Sequence, residues 1–404
     1  MFGVGHKEML SLWAMFHSRA EPALNIRHLA ALAATVRHGS VTRAARAINL
    51  TQPALTQAIA RLETDLGCAL FERGASGMTA TAPALLLAPR AEAAIAHIGS
   101  PRVTGTQVRA FLALARAGSY AGAAEATGLS AASLHRAVAD LGVALGQRLV
   151  ERRGRTVLLG PAGARRARAF GLAMAELRSG LDEVAAYQGK VAGRVVIGAM
   201  PLSRARWLPE TILRFARLHP GVDVAVVEGS HAELVGPLRD GEIDLMLGAL
   251  REGGAFEDLV QEAVFEDRPA LIMRAGHPLA GHDRPLDAET LRAFPWILPG
   301  GDTPLRLYWE AMMRAVTGEA PPHVGIECGS VLTVRQLLVG SDALTLLSPA
   351  QLAVELESGV LAMRPTPVPV RRTIGLTHRA LWRPTAPQAD FLALLRTVSG
   401  QDFA

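Results

Sequence analysis

The sequence predicts a multidomain chain in which two small all-α helix-turn-helix units precede a larger α/β half. Three observations carry that reading. A stretch of 58 residues recurs 79 residues further on; strand and helix patterns alternate from Gly193 onward; and charge divides unevenly between the halves. Residues 1–190 hold 22 Lys+Arg against 12 Asp+Glu, and residues 191–404 hold 20 against 25, so a net of +10 faces a net of −5. A basic first half is the layout expected where phosphates are met.

Composition bounds the rest. The 404 residues suffice for two to four domains with real cores. Half are hydrophobic, yet no apolar run reaches the roughly 18–20 residues of a membrane span, so no membrane partner is expected. Met9–Phe16 is apolar but follows Glu8 and lacks a small-residue cleavage site, unlike a signal peptide. Residues 1–25 read as an N-terminal extension and the location as cytoplasmic. Cys68 and Cys328 lack partners at ligand spacing, which predicts free thiols and no metal.

The first helix-turn-helix spans 26–98. A helix at 27–38 places Leu29, Leu32 and Val36 on one face. Ser40 then caps a short helix whose Ala44 and Ala45 permit close approach. Asn49-Leu50 makes the turn, and Thr51 caps a second helix with Gln52 and Pro53 in its first turn. Leu55, Ile59, Leu62 and Leu66 recur at three- and four-residue spacing and form its buried face. Gln52, Thr56 and Gln57 occupy the other face, uncharged donors and acceptors suited to base edges in a major groove. Thr42, Arg43, Arg61 and Arg73 complete the expected DNA contacts. Small residues after Arg73 stand where a wing belongs, and a helix at 84–98 contains Pro89, expected to kink it.

The second copy spans 103–160. Shifted by 79, residues 27–84 fall on 106–163 with 18 identities in 58 positions. Turn, core and wing entry keep register: Gly39-Ser40 matches Gly118-Ser119, Leu55 matches Leu134, and Leu66-Gly67 matches Leu145-Gly146. The reading face diverges. Thr51-Gln52-Pro53-Ala54 becomes Ser130-Ala131-Ala132-Ser133, and Thr56-Gln57 becomes His135-Arg136. Arg136 suits guanine, and the wing residues Arg153 and Arg155 suit phosphate or minor groove. The alternatives are that both copies touch DNA or that one serves assembly. A long helix within 161–190 follows, with Phe170, Met174, Leu177, Leu181 and Val184 as a near-heptad stripe.

The run Ser-x-Thr-x-Ala-Ala…Leu-Thr-Gln-Pro-Ala-Leu-Thr-Gln…Ile-x-x-Leu-Glu…Leu-Gly…Leu-Phe-Glu-Arg, which opens at Ser40, closely resembles the winged helix-turn-helix of LysR-type transcriptional regulators. The resemblance implies two winged helix-turn-helix domains followed by a linker helix. After it comes a two-lobed α/β effector domain of the periplasmic-binding-protein kind. It implies double-stranded DNA and a small organic effector as partners, a homodimer or homotetramer joined through the stripe, and RNA polymerase as a further contact. It implies no cofactor. Ile-Gly-Ala-Met-Pro-Leu-Ser-Arg-Ala-Arg from Ile197, Asp-Gly-Glu-Ile-Asp-Leu, Trp-Ile-Leu-Pro and Ile-Gly-Leu-Thr-His-Arg are similar to the subgroup of the galactose-binding-protein regulator.

In the second half, residues 191–404, strands are expected at Arg194–Ala199, Val222–Val227 and Ile243–Leu247, with helices from Trp207 and near Ala232. This is an α/β unit with a largely parallel sheet. Lobe I is expected at about 191–270 and 348–404, lobe II at about 271–347. Ligands of such sheets sit beyond the carboxyl ends of the strands. That selects Met200, Pro201, Leu202 and Ser203, then Ala249, Gly300, Asp302, Thr303 and Ser330, and Thr377 with His378. In the family a Thr or Ser of the first loop holds the effector; here Leu202 takes that place and Ser203 adjoins it. Helices following Asp302-Thr303 and Gly329-Ser330 offer free N–H groups to an anionic effector, although capping alone explains Thr303 and Ser330. No Gly-x-Ser-x-Gly, His-Glu-x-x-His, phosphate loop or Cys-x-x-Cys occurs, so no catalytic residues are expected. The competing reading is a non-enzymatic ligand-binding or assembly protein whose helix-turn-helix copies mediate protein contacts.

Overall fold

The computed structural model describes residues 25–74, 77–153, 156–190, 193–251, 257–281, 286–301 and 303–398. Two compact units result, one formed mainly by the residues up to Arg194 and the other mainly by those that follow. Of the expected extension, only Asn25 lies among the described residues.

In the first unit, α1 (Ile26–His38), α2 (Val41–Ala47) and α3 (Gln52–Leu66) precede a hairpin of β1 (Phe71–Gly74) and β2 (Gly77–Ala80), then α4 (Ala82–Ile98). The second copy repeats this with α5 (Gly105–Ala117), α6 (Tyr120–Thr127), α7 (Ala131–Leu145), β3 (Val150–Arg153), β4 (Thr156–Leu159) and α8 (Pro161–Tyr187). Side chains set the boundaries. Asn25, Ser40 and Thr51 cap α1 to α3, and Thr104, Ser119 and Ser130 cap their counterparts, each cap stabilising by about 1 kcal/mol. Asn49 holds a positive φ of 55° at the turn, a conformation Asn tolerates better than most residues.

The repeat extends to individual hydrogen bonds. Gly39 N donates to Thr35 O as Gly118 N does to Leu114 O. Cys68 N donates to Glu63 O as Gln147 N does to Gly142 O, and Thr81 N to Leu70 O as Gly160 N does to Leu149 O. All three pairs keep the 79-residue offset of the sequence.

α4 runs through Pro89 without a break. One expectation needs revision. The stripe Phe170, Met174, Leu177, Leu181 and Val184, expected to await a second chain, is covered within its own. Phe170, Met174, Leu177 and Val184 are buried and Leu181 is half-buried: α4 of the first copy lies along α8 in the most extensive contact between any two described elements, and Phe111 of α5 meets Phe170 edge-on.

The second unit is built on two sheets. In the first, β5 (Arg194–Ala199), β6 (Asp223–Glu228), β7 (Leu245–Ala249), β8 (Leu259–Asp267) and β14 (Arg372–Arg379) take the order β6-β5-β7-β14-β8. Helices α9 (Trp207–Leu218), α10 (His231–Arg239) and α15 (Ala386–Val398) belong to this lobe. The second sheet orders β12 (Thr345–Leu347), β9 (Ala270–Arg274) and β13 (Leu361–Arg364) as β12-β9-β13. A parallel pair, β10 (Ile297–Leu298) and β11 (Ile326–Glu327), joins it where Ile297 N donates to Leu344 O at 2.9 Å. Around it stand α11 (Ala288–Arg292), α12 (Pro304–Thr317), α13 (Val331–Val339) and α14 (Ala353–Glu357).

The lobe boundary expected at 348 falls later. Leu352, Leu361 and Val370 all pack into the core of the second lobe with Trp296 and Trp309, and β13 pairs antiparallel with β9. The chain therefore returns to the first lobe between β13 and β14. Where β8 leaves the first sheet and β14 re-enters it, Arg372 Nε donates to Asp267 Oδ2 at 2.5 Å, both side chains buried. This pair ties the two crossings together.

Candidate DNA-reading and effector sites

In the first copy, Leu55, Ile59 and Leu62 of α3 are buried with Ala44 and Ala45 of α2. Each of the larger side chains contributes roughly 1.5–3 kcal/mol by leaving water. That fixes the rotation of α3 and turns Gln52, Pro53, Gln57 and Arg61 outward, with Thr56 half-buried beside them. Gln52 Nε2 donates to Thr42 Oγ1 at 2.9 Å, linking the two helices at the reading surface. The Thr51 hydroxyl is engaged as a cap, accepting from Ala54 N at 3.4 Å. Glu63 Oε1 accepts from Leu70 N at 2.7 Å and Phe71 N at 3.3 Å, so α3 sets the base of the wing. Arg43, Arg46 and Arg61 are exposed and make no ion pair among the described residues. Arg73 lies on β1 opposite Met78.

The second copy reaches the same scaffold with another surface. Leu134, Val138 and Leu141 hold α7 in place, and Ser130, Ser133, His135 and Arg136 are exposed. Ser130 Oγ accepts from Ser133 N at 3.1 Å and meets Ser133 Oγ at 2.9 Å. The His135 ring tilts onto Tyr120 with centroids 5.1 Å apart. Arg136 makes no ion pair among the described residues. Gly142 stands in the place of Glu63, and the wing is held instead by Val157 N donating to Gly118 O at 2.9 Å. Arg153 pairs with Thr156 across the hairpin; Arg155 lies outside the described residues.

In the second unit, β5 and β7 run parallel, which brings their carboxyl ends at Ala199 and Ala249 together. Met200 N donates to Leu247 O at 3.0 Å, and the Met200 side chain covers Gly248, whose φ of 153° and missing Cβ leave it room. Pro201 is half-buried. In the other lobe, Cys328 N donates to Leu298 O at 2.8 Å, setting the loop of Gly300 and Thr303 beside that of Ser330. Thr303 accepts from Arg306 N and Ser330 from Thr333 N, each at 3.4 Å, so both hydroxyls cap helices. Asp302 lies outside the described residues.

Four of the expected effector contacts do not fit. Ser203 is fully buried and its hydroxyl donates to Met200 O at 2.8 Å, closing the turn; Leu202 is buried beside it. Thr377 and His378 pair with Met246 and Leu245 at the amino end of β7, because β14 runs antiparallel to it. Thr377 is buried, and His378 Nδ1 lies 2.9 Å from Arg379 O with its ring against Trp382. The residue of β14 at the carboxyl end of β7 is instead Thr373, exposed, whose carbonyl accepts from Leu250 N at 2.9 Å. Sequence reasoning missed Thr373 and the Arg372–Asp267 pair. The signal was the direction of β14, which only its partners reveal.

Two outward reading helices on capped scaffolds, followed by a two-lobed α/β unit with paired loops at its strand ends, define a ligand-responsive DNA-binding protein. Comparison with known proteins agrees. The model of the bacterial regulatory helix-turn-helix of the LysR family matches twice, at residues 26–85 and 106–164, and the LysR substrate binding domain matches residues 188–400. The HTH-type transcriptional regulator GalR of Pseudomonas putida is 34% identical over 390 residues, covering 93% of this chain and 97% of that protein. The chain belongs to the LysR family: it is a DNA-binding transcription regulator with an effector-binding domain, not an enzyme.

Solved structures share the fold. A full-length OxyR variant from Pseudomonas aeruginosa has a TM-score of 0.53 at 24% identity, over 73% of this chain and 94% of that one. LysG from Corynebacterium glutamicum, solved with bound effector Arg, has a TM-score of 0.51 at 18% identity, over 73% and 98%.

Proposed function

We propose that the regulator reads operator DNA through α3, with Gln52, Thr56 and Gln57 on base edges and Thr42, Arg43 and Arg61 on phosphates. The observation that carries this is the outward Gln52–Thr42 pair on a helix whose other face is locked into the core. Uncharged amides there suit adenine, to which Gln bonds bidentately. A small organic effector sits between the lobes, against Met200 and Pro201, Ala249 and Thr373 on one side. On the other it meets Gly300, Thr303 and Ser330, whose helix N-termini suit an anionic group. Binding acts by favouring one of two pre-existing arrangements, so the effector must prefer one of them. Assembly into a homodimer or homotetramer, contact with RNA polymerase and a cytoplasmic location follow from this role.

A salt-dependent gel shift on the DNA upstream of the regulator's own gene tests the reading. Gln52→Ala with Gln57→Ala is expected to weaken binding roughly 10-fold or more. Unchanged affinity would overturn reading through α3.

A further inference from the structure

The two post-wing helices occupy equivalent places in their copies, α4 after the first wing and α8 after the second, and they pack against each other. The pairing is antiparallel. Arg90, midway along α4, reaches Glu176 and Glu183, whereas Ile98 O, at the end of α4, accepts from Arg166 Nη1 near the start of α8 at 3.5 Å. Corresponding positions are used on both helices: Leu87 lies against Gly180, and Arg166, which corresponds to Leu87 at the 79-residue offset, reaches Ile98 O and lies against Gly99.

The contact has a specific register. Arg90, its side chain 6% exposed, bonds Glu183 through Nε (3.3 Å) and Nη2 (2.6 Å) and Glu176 through Nη1 (3.1 Å). Gly180 sits opposite, where a Cβ would stand 2.8 Å from Leu87 Cδ1 and 3.0 Å from Arg90 Cβ. Gln188 Nε2, past the end of α8, donates to Leu66 O at the end of α3 with 3.1 Å. The second copy's long helix is thereby anchored to the first copy's reading helix.

Antiparallel helices joined through equivalent faces relate their copies by an approximate two-fold rotation. Such a rotation preserves direction along its axis, so any part of the two reading faces directed along that axis points the same way. Neither reading face is consumed by the pairing: Gln52, Gln57, Ser133 and Arg136 all remain exposed. The two faces differ chemically, amides in one and an arginine in the other, which suit adenine and guanine respectively.

We infer that α4 and α8 join the two copies into a two-headed DNA reader within one chain, whose partner is duplex DNA carrying two unlike half-sites. The inference rests on the DNA reading proposed above and adds that the second copy reads too, from the same chain. Unlike heads on a two-fold scaffold give each chain a direction on its operator, which a pair of identical heads cannot.

The test uses the full-length protein and duplexes selected from a random-sequence library, followed by hydroxyl-radical footprinting and mass photometry of the smallest complex. One chain is expected to protect two half-sites of different sequence. Gln52→Ala with Gln57→Ala removes protection at one half-site and Arg136→Ala at the other, each weakening binding roughly 5- to 100-fold. All three residues are exposed, so the variants fold. Identical half-sites that fade together in the glutamine variant, with Arg136→Ala unchanged, overturn the inference and leave DNA reading by the first copy intact. Failure to select any duplex overturns the DNA reading itself.

Discussion

Single residues carry two kinds of information here, caps that act locally and contacts that act across the fold. Ser40 and Thr51 were legible because each caps the helix that directly follows it, and Ser119 and Ser130 do the same at the 79-residue offset. His277 was not. Its Nδ1 accepts from Leu279 N at 2.9 Å, so the buried ring is neutral with Nε2–H toward Asp342 O at 3.2 Å. Burial pushes its pKa below the ordinary 6.5, against the opposing pull of Asp342. Below pH 6.5 the unfolded chain therefore binds more protons than the folded one, and stability falls as pH drops through that window. His28 is shifted the same way by burial and adds to the slope. The thermal midpoint is expected to decline between about pH 7 and 5.5. His277→Gln, which keeps an acceptor for Leu279 N, should flatten that decline. Equal slopes in both proteins would mean that His277 titrates freely.

At the scale of elements, periodicity fixed which helices exist and left open what covers them. The stripe on α8 reads from sequence as a face wanting a partner, and that much is right; the partner is α4. Nothing local announces it, since Arg90 lies 86 and 93 residues from Glu176 and Glu183. The direction of β14 was hidden for the same reason, which misplaced Thr377 and His378. The pairing of α4 with α8 makes a measurable claim. Burial works against the Arg90 charge, but the hydrogen bonds of Glu183 and Glu176 outweigh it and raise its pKa above the usual value. Arg90→Met leaves two carboxylates together without their cation, a loss of about 3–5 kcal/mol for a buried network. Chemical unfolding of the full chain should show it as a lower midpoint. Adding Glu176→Gln and Glu183→Gln should recover much of the loss, because no unpaired charge then remains. A midpoint unmoved by Arg90→Met would show that the triad does not hold the helices.

For the whole molecule, charge and architecture coincide. The net +10 of residues 1–190 and −5 of residues 191–404 put cations on the half with the reading helices. Many arginines are spent internally, Arg90 and Arg372 among them. Arg43, Arg46 and Arg61 in the first copy and Arg136, Arg148 and Arg165 in or just after the second make no ion pair among the described residues. Each phosphate neutralised releases counterions, giving a slope of log K against log salt of about −0.9 per contact. If arginines of both copies meet one duplex, the full chain should show a slope of roughly −5 per chain, and about half that if only one copy engages. Removing Arg148, far in sequence from the first reading helix, separates the cases. With both heads on DNA, Arg148→Ala makes the slope shallower by about 1, as Arg61→Ala does. With only the first head engaged, Arg61→Ala alone changes it. The measurement needs no knowledge of base sequence, because phosphate contacts act on any duplex, and so it checks the two-headed geometry independently of the footprint.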